Sequence, residues 1–253
     1  MAKLSGKHAV VTGGGSGVGA AIALALAEKG ATVTVSGRRR EALDAVAGSA
    51  DRISARTCDV TDPDSVASLF SALREEHGGV NIVIANAGAA EASPFAKLEV
   101  EEWRRTIDVN LTGAFLTLHG GLAAMEGKDW GRMISIASVA GLRGYPYVAH
   151  YCAAKHGVIG LTRSLAMEIA TSGITVNAIC PGYTETPMLT RALENVMDKT
   201  GMERADAEKA LLRTNPMGRF IQPEEVARTV LWLCGPDSGA ITGQAISVSG
   251  GEV

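Results

Sequence analysis

Tyr151 and Lys155 lie four positions apart in the run Tyr151-Cys152-Ala153-Ala154-Lys155. The segment from about His150 to Thr171 has a helical pattern, so the phenol and the ammonium share one helix face. A free tyrosine, with a pKa of ~10, is a poor base at neutral pH, but a neighbouring cation favours the phenolate and brings it toward a useful range. The pair can therefore pass a proton to or from a substrate oxygen, although the same spacing is common on solvated helix surfaces. Ser138 ends the apolar run Met133-Ile134-Ser135-Ile136-Ala137, 13 positions before Tyr151. A hydroxyl at a strand's carboxyl end can donate to a developing oxyanion. Asn110, in Asp108-Val109-Asn110-Leu111-Thr112-Gly113, disfavours regular helix and can organise water leading to Lys155; alone it reads as an exposed helical asparagine.

Positioning these groups is the task of alternating elements. Apolar runs near 8–12, 32–36, 53–59, 80–85, 132–137, 175–180 and 245–249 predict strands, with helical patterns between them. His8-Ala9-Val10-Val11-Thr12 and Asn81-Ile82-Val83-Ile84-Ala85 are nearly continuously apolar, as parallel strands covered on both faces are. The pattern predicts an α/β fold: a single Rossmann-like domain over 1–253, with a doubly wound parallel sheet of about seven strands and helices on both faces. Asp62-Pro63 reads as a helix N-cap and first-turn pair. The polar stretch 183–220 interrupts the rhythm, and is either a substrate-binding insertion or a solvated helical excursion.

Thr12-Gly13-Gly14-Gly15-Ser16-Gly17-Val18-Gly19 joins the first strand to the first helix, where glycines turn sharply and let backbone amides approach a pyrophosphate. The acid that usually meets an NAD ribose about twenty residues later is missing. Ser36-Gly37-Arg38-Arg39-Arg40 stands there instead, and a guanidinium at Arg38 suits the 2'-phosphate of NADP; a solvated basic helix start is the plainer alternative.

Read as Thr-Gly-x-x-x-Gly-x-Gly, positions 12–19 resemble the short-chain dehydrogenase/reductase family. Asp59-Val60 and Asn86-Ala87-Gly88 match that family's adenine-contacting pair and its Asn-Ala-Gly motif, and Pro181-Gly182-Tyr183-Thr184-Glu185-Thr186 resembles its Pro-Gly segment. The resemblance implies an enzyme of the NAD(P)-dependent CH-OH class with Asn110, Ser138, Tyr151 and Lys155 as catalytic residues. Tyr151 is then acid for carbonyl reduction and base for alcohol oxidation, Ser138 steadies the oxyanion, Lys155 binds the nicotinamide ribose and lowers the phenol, and Asn110 holds a relay water. No side chain donates hydride, so that comes from nicotinamide. The cofactor residues implied are Gly13, Ser16, Gly17, Val18, Gly19, Arg38, Asp59, Val60, Asn86, Ala87, Gly88, Tyr151, Lys155, Pro181, Gly182, Thr184 and Thr186, with NADP favoured and NAD the alternative. Ser16 stands where NADP-preferring members often carry a second basic residue.

The segments 174–188 and 218–227 look similar to ketoreductases of 3-oxoacyl thioesters, including the polyketide type. A dehydrogenase of a small or cyclic secondary alcohol or hydroxy acid using NAD, and a non-catalytic nucleotide sensor on the same fold, are the alternatives. Arg143 is either a contact for an anionic tail or a solvated arginine, and His150 a candidate pocket wall. The 253 residues carry 24 Lys+Arg against 27 Asp+Glu, a net charge of -3, which offers no long-range field for nucleic acid or an anionic membrane. Cys58, Cys152, Cys180 and Cys234 match no metal-ligand or disulfide spacing and read as reduced cytoplasmic thiols, and no signal peptide or membrane span is expected. The five histidines show no metal-site spacing, so no metal is expected. The family resemblance implies a homo-oligomer, most often a tetramer.

Overall fold

The computed structural model describes residues 3–253. Its strands are β1 (His8–Thr12), β2 (Thr32–Gly37), β3 (Ile53–Thr57), β4 (Ile82–Ala85), β5 (Gly131–Ile136), β6 (Ile174–Pro181) and β7 (Ala245–Val248). They form one parallel sheet in the order β3-β2-β1-β4-β5-β6-β7. Every residue of β1, β4, β5 and β6 is buried, which is why these strands read as continuous apolar runs. β3, at the sheet edge, is two residues shorter than its sequence run, because the chain turns away after Cys58 donates to the Gly37 carbonyl.

Helices α1 (Gly17–Glu28), α2 (Arg40–Ala47), α3 (Pro63–His77), α4 (Val100–Ile107), α5 (Gly113–Ala123), α6 (Ala149–Glu168), α7 (Pro187–Thr200), α8 (Arg204–Leu212) and α9 (Pro223–Leu233) complete the chain. Two apolar layers result. Ile22 and Leu26 of α1 pack with Val226 and Val230 of α9 on one face of the sheet; Leu69 and Phe70 of α3 pack with Leu118 of α5 and Val158 of α6 on the other. The start of α3 is fixed as its sequence predicts: the Asp62 side chain accepts from the Asp64 amide, Pro63 opens the helix, and Gly78 ends it with φ 66°. The 183–220 stretch resolves into α7 and α8 closed over a small apolar cluster of Leu189, Leu193 and Ala207. No helix among the described residues is long and apolar enough to cross a membrane. All four cysteines are free and buried.

The order of the strands reverses between β1 and β4, and doubly wound sheets bind ligands in the crevice outside the carboxyl ends at such a point. The glycine-rich loop leaves β1 there, and Asn86 leaves β4 beside it.

Candidate active site

The floor of the crevice is braced from within. The Thr12 hydroxyl donates to the Ile84 carbonyl and accepts from the amides of Asn86 and Ala87, while the Asn86 carboxamide donates to the carbonyls of Thr12 (2.9 Å) and Gly13 (3.2 Å). Asn86 thus holds the glycine loop in shape, and Thr12, buried and singled out by no sequence feature beyond its place before the glycines, is the hinge of the brace. Gly13 and Gly17 have φ of 66° and 54°. A Cβ on Gly13 would lie 2.8 Å from the Ala87 backbone, and one on Gly17 would lie 2.9 Å from the Thr186 methyl. Side chains are therefore excluded at both positions by conformation and by space.

This loop fits a dinucleotide. The first turn of α1 carries no acid, and its amides at Gly17, Val18 and Gly19 precede the first intrahelical bond, which Ala20 makes to Ser16. The Ser16 side chain caps none of them, so these donors remain available to a pyrophosphate. Arg38 is exposed at the end of β2 and, among the described residues, forms no ion pair, whereas Arg40 is bound to Asp44 at 2.8 Å. The Asp59 carboxyl is held below the ordinary range by the amide and hydroxyl of Thr61, with a smaller contribution from Arg38. Val60 is buried against Gly113, the start of α5. Across the crevice, Gly182 donates to the Val248 carbonyl, the Thr184 hydroxyl donates to the Gly182 carbonyl, and Thr186 caps α7 through the Leu189 amide.

The groups expected from the sequence to handle a proton gather at the carboxyl end of β5. Ser138 follows the strand, and its oxygen accepts from the Ala140 amide at 3.1 Å. Lys155 is buried and its Nζ donates to the Ile136 carbonyl at 3.0 Å. The ammonium stands 5.5 Å from the centroid of the Tyr151 ring. Asn110 sits in a π-turn, Asp108–Thr112, that widens the junction of α4 and α5 and brings its side chain inside. The carboxamide donates to the carbonyls of Ala89 (2.8 Å) and Thr106 (3.0 Å), and Oδ1 accepts from the Ala89 amide. A Cβ on Gly88 would meet Asn110 Oδ1 at 2.8 Å and Lys155 Nζ at 3.6 Å, so glycine there lets the two approach.

Three expectations change. Sequence spacing predicts that Lys155 draws the phenol toward neutrality; instead burial pushes the Tyr151 phenol up to about 12, with Ser138 the group that draws it back. Burial likewise brings the Lys155 ammonium down to about 8, and its proton is committed to the Ile136 carbonyl rather than to the phenol. Asn110 clamps backbone with its amide, leaving only a lone pair of Oδ1 for a water. His150 is no pocket wall: it is fully buried between α6 and α4, with Nε2 3.6 Å from Glu102 Oε1 and neither ring nitrogen hydrogen-bonded. Arg143 is exposed and stacks on Tyr145, 5.1 Å from the ring centroid.

Residues 13–252 match the family model described as enoyl-(acyl carrier protein) reductase. The chain is 39% identical to a D-beta-hydroxybutyrate dehydrogenase of Rhizobium meliloti over 97% of its own length and 98% of the relative's. It is 37% identical to a 3-oxoacyl-(acyl-carrier-protein) reductase of Vibrio cholerae, with 98% of each chain covered. Among solved structures, an actinorhodin polyketide ketoreductase variant with NADPH superposes with a TM-score of 0.94 at 37% identity, covering 99% of this chain and 98% of that one.

Proposed function

The chain belongs to the short-chain dehydrogenase/reductase family and is an oxidoreductase, and from that premise we propose that it is an NADPH-dependent ketoreductase whose preferred substrates are 3-oxoacyl thioesters. The observation that carries the reading is the convergence of Ser138, Tyr151 and Lys155 beside a glycine loop whose first-turn amides are unspent. A bound dinucleotide supplies the hydride from its nicotinamide ring. Gly13, Ser16, Gly17, Val18 and Gly19 hold its pyrophosphate, Arg38 its 2'-phosphate, Asp59 and Val60 its adenine end, and Thr184 and Thr186 its nicotinamide end, with Asn86, Ala87 and Gly88 bracing the cradle and Pro181 and Gly182 shaping it.

Ser138 donates to the substrate oxygen and Tyr151 gives that oxygen its proton as the carbonyl becomes an alcohol. A phenol raised to about 12 is fully protonated at neutral pH, so the acid for reduction is always loaded. The Lys155 ammonium, ionised below about 8, stabilises the phenolate left behind. Asn110 fixes the Ala89 segment against Lys155 and holds the water through which the phenol is reprotonated. Residues 1–253 act as one unit, with 183–220 as the substrate-side cover. A cytoplasmic homotetramer completes the reading, supported by buried free thiols and by Trp103 and Phe115, 39% and 45% exposed, which give a second copy apolar purchase near α4 and α5.

The test is a set of initial rates with NADPH and NADH against a 3-oxoacyl thioester, a small cyclic ketone and an enoyl thioester. The expected result is at least about tenfold higher kcat/KM with NADPH and with the 3-oxoacyl thioester, and no reduction of the enoyl bond. A preference for NADH overturns the role of Arg38, and reduction of the enoyl thioester alone overturns the carbonyl chemistry.

A further inference from the structure

All four tyrosines of the chain, Tyr145, Tyr147, Tyr151 and Tyr183, lie in α6, in the loop before it or just after β6. Among them stands one acid from far along the chain. Glu252, the penultimate residue, is 9% exposed. Its Oε1 accepts from the Tyr145 hydroxyl at 2.5 Å, and also from the Thr214 hydroxyl that follows α8. Its Oε2 lies 3.4 Å from where a Cβ on Gly182 would stand, at the end of β6 and next to Tyr183. Among the described residues no lysine, arginine or histidine nitrogen comes within 4.0 Å of this carboxylate. Arg143, the cation on the same loop, is turned outward over the face of the Tyr145 ring. The negative charge reaches Tyr145 and Tyr183, raising both phenols after burial has done so.

A buried carboxylate that accepts from two neutral hydroxyls and is paired with no cation has a field that is poorly screened. We propose that Glu252 is a specificity-determining residue that excludes carboxylate-bearing substrates and selects neutral carbonyl compounds, an inference that rests on the ketoreductase reading. A second anion beside this carboxylate is disfavoured, whereas an ester or thioester of the same carbon skeleton meets no such repulsion.

The experiment compares kcat/KM for acetoacetate and its methyl ester, with NADPH, in the wild type, Glu252→Gln, Glu252→Asp and Tyr145→Phe. The wild type is expected to favour the ester by about thirtyfold or more, and Glu252→Gln to narrow that ratio about tenfold, chiefly through the KM for acetoacetate. Glu252→Asp keeps the charge and retains the preference. Tyr145→Phe removes a donor but leaves the carboxylate, so its ratio stays at the wild-type value or widens; this variant also serves if Glu252→Gln fails to fold. Equal shifts in Tyr145→Phe and Glu252→Gln mean a structural clamp and overturn the inference, as does equal use of ester and anion by the wild type. A folded wild type that reduces no carbonyl compound sinks the ketoreductase reading instead.

Discussion

Replacing Lys155 by methionine removes a buried charge while keeping an unbranched chain of similar reach. Burial brings this ammonium from 10.5 to about 8, and at about 1.4 kcal/mol per pH unit the folded state carries a penalty of about 3 kcal/mol at neutral pH. Below pH 8 the lysine is charged in both folded and unfolded chains and the penalty is complete. Between 8 and 10.5 the folded chain releases its proton while the unfolded chain retains it, so stability rises with pH and the penalty disappears. Losing the bond to the Ile136 carbonyl gives back about 1 kcal/mol. Lys155→Met is therefore more stable at pH 7 by about 2 kcal/mol, or roughly 4–8 °C in Tm. That advantage is expected to be gone by about pH 10, and the proposed role of Lys155 predicts a loss of carbonyl reduction in the same variant. Thermal unfolding of nucleotide-free protein at fixed concentration, at pH 7 and pH 10, reads both values. A variant less stable than wild type at pH 7, or two parallel pH profiles, refutes the reasoning.

Arg38→Ala is expected to raise the KM for NADPH at least about tenfold and leave that for NADH nearly unchanged, as steady-state kinetics will show, because a lost charge-assisted contact matters only where a 2'-phosphate is present. Gly17→Val places a branched side chain at φ 54° against the Thr186 methyl, so a nucleotide titration should show binding weakened by tenfold or more in a protein that still folds by circular dichroism. Asn110→Ala leaves the Ala89 and Thr106 carbonyls without their donor, and denaturant unfolding should register a loss of about 1–3 kcal/mol together with a fall in kcat.

Much of this was legible in the chain because it is local. The apolar runs mark the strands, Asp62-Pro63 marks the start of α3, and the order of the glycine loop, Ser138, Tyr151 and Lys155 places these candidate groups at one end of the sheet. What depends on depth was not legible. Spacing alone brings Lys155 near Tyr151 and suggests a lowered phenol, but the direction is decided by burial and by an Ile136 carbonyl that takes up the ammonium. His150 carries no mark distinguishing a pocket wall from a helix interface, and only the packing of α4 on α6 decides it. The 183–220 stretch reads as polar because its buried set is confined to a few residues of two short helices. Glu252 is invisible for a different reason: its partner Tyr145 lies 107 positions away.

Tyr151→Phe measures the core of the account most directly. Single-turnover reduction of a neutral ketone by the NADPH-loaded protein should slow by 10²–10⁴-fold, since only the oxygen that delivers the proton is lost, with nucleotide affinity within about twofold of wild type. A variant that binds NADPH normally and reduces the ketone at the wild-type rate would show that the phenol takes no part in the reaction.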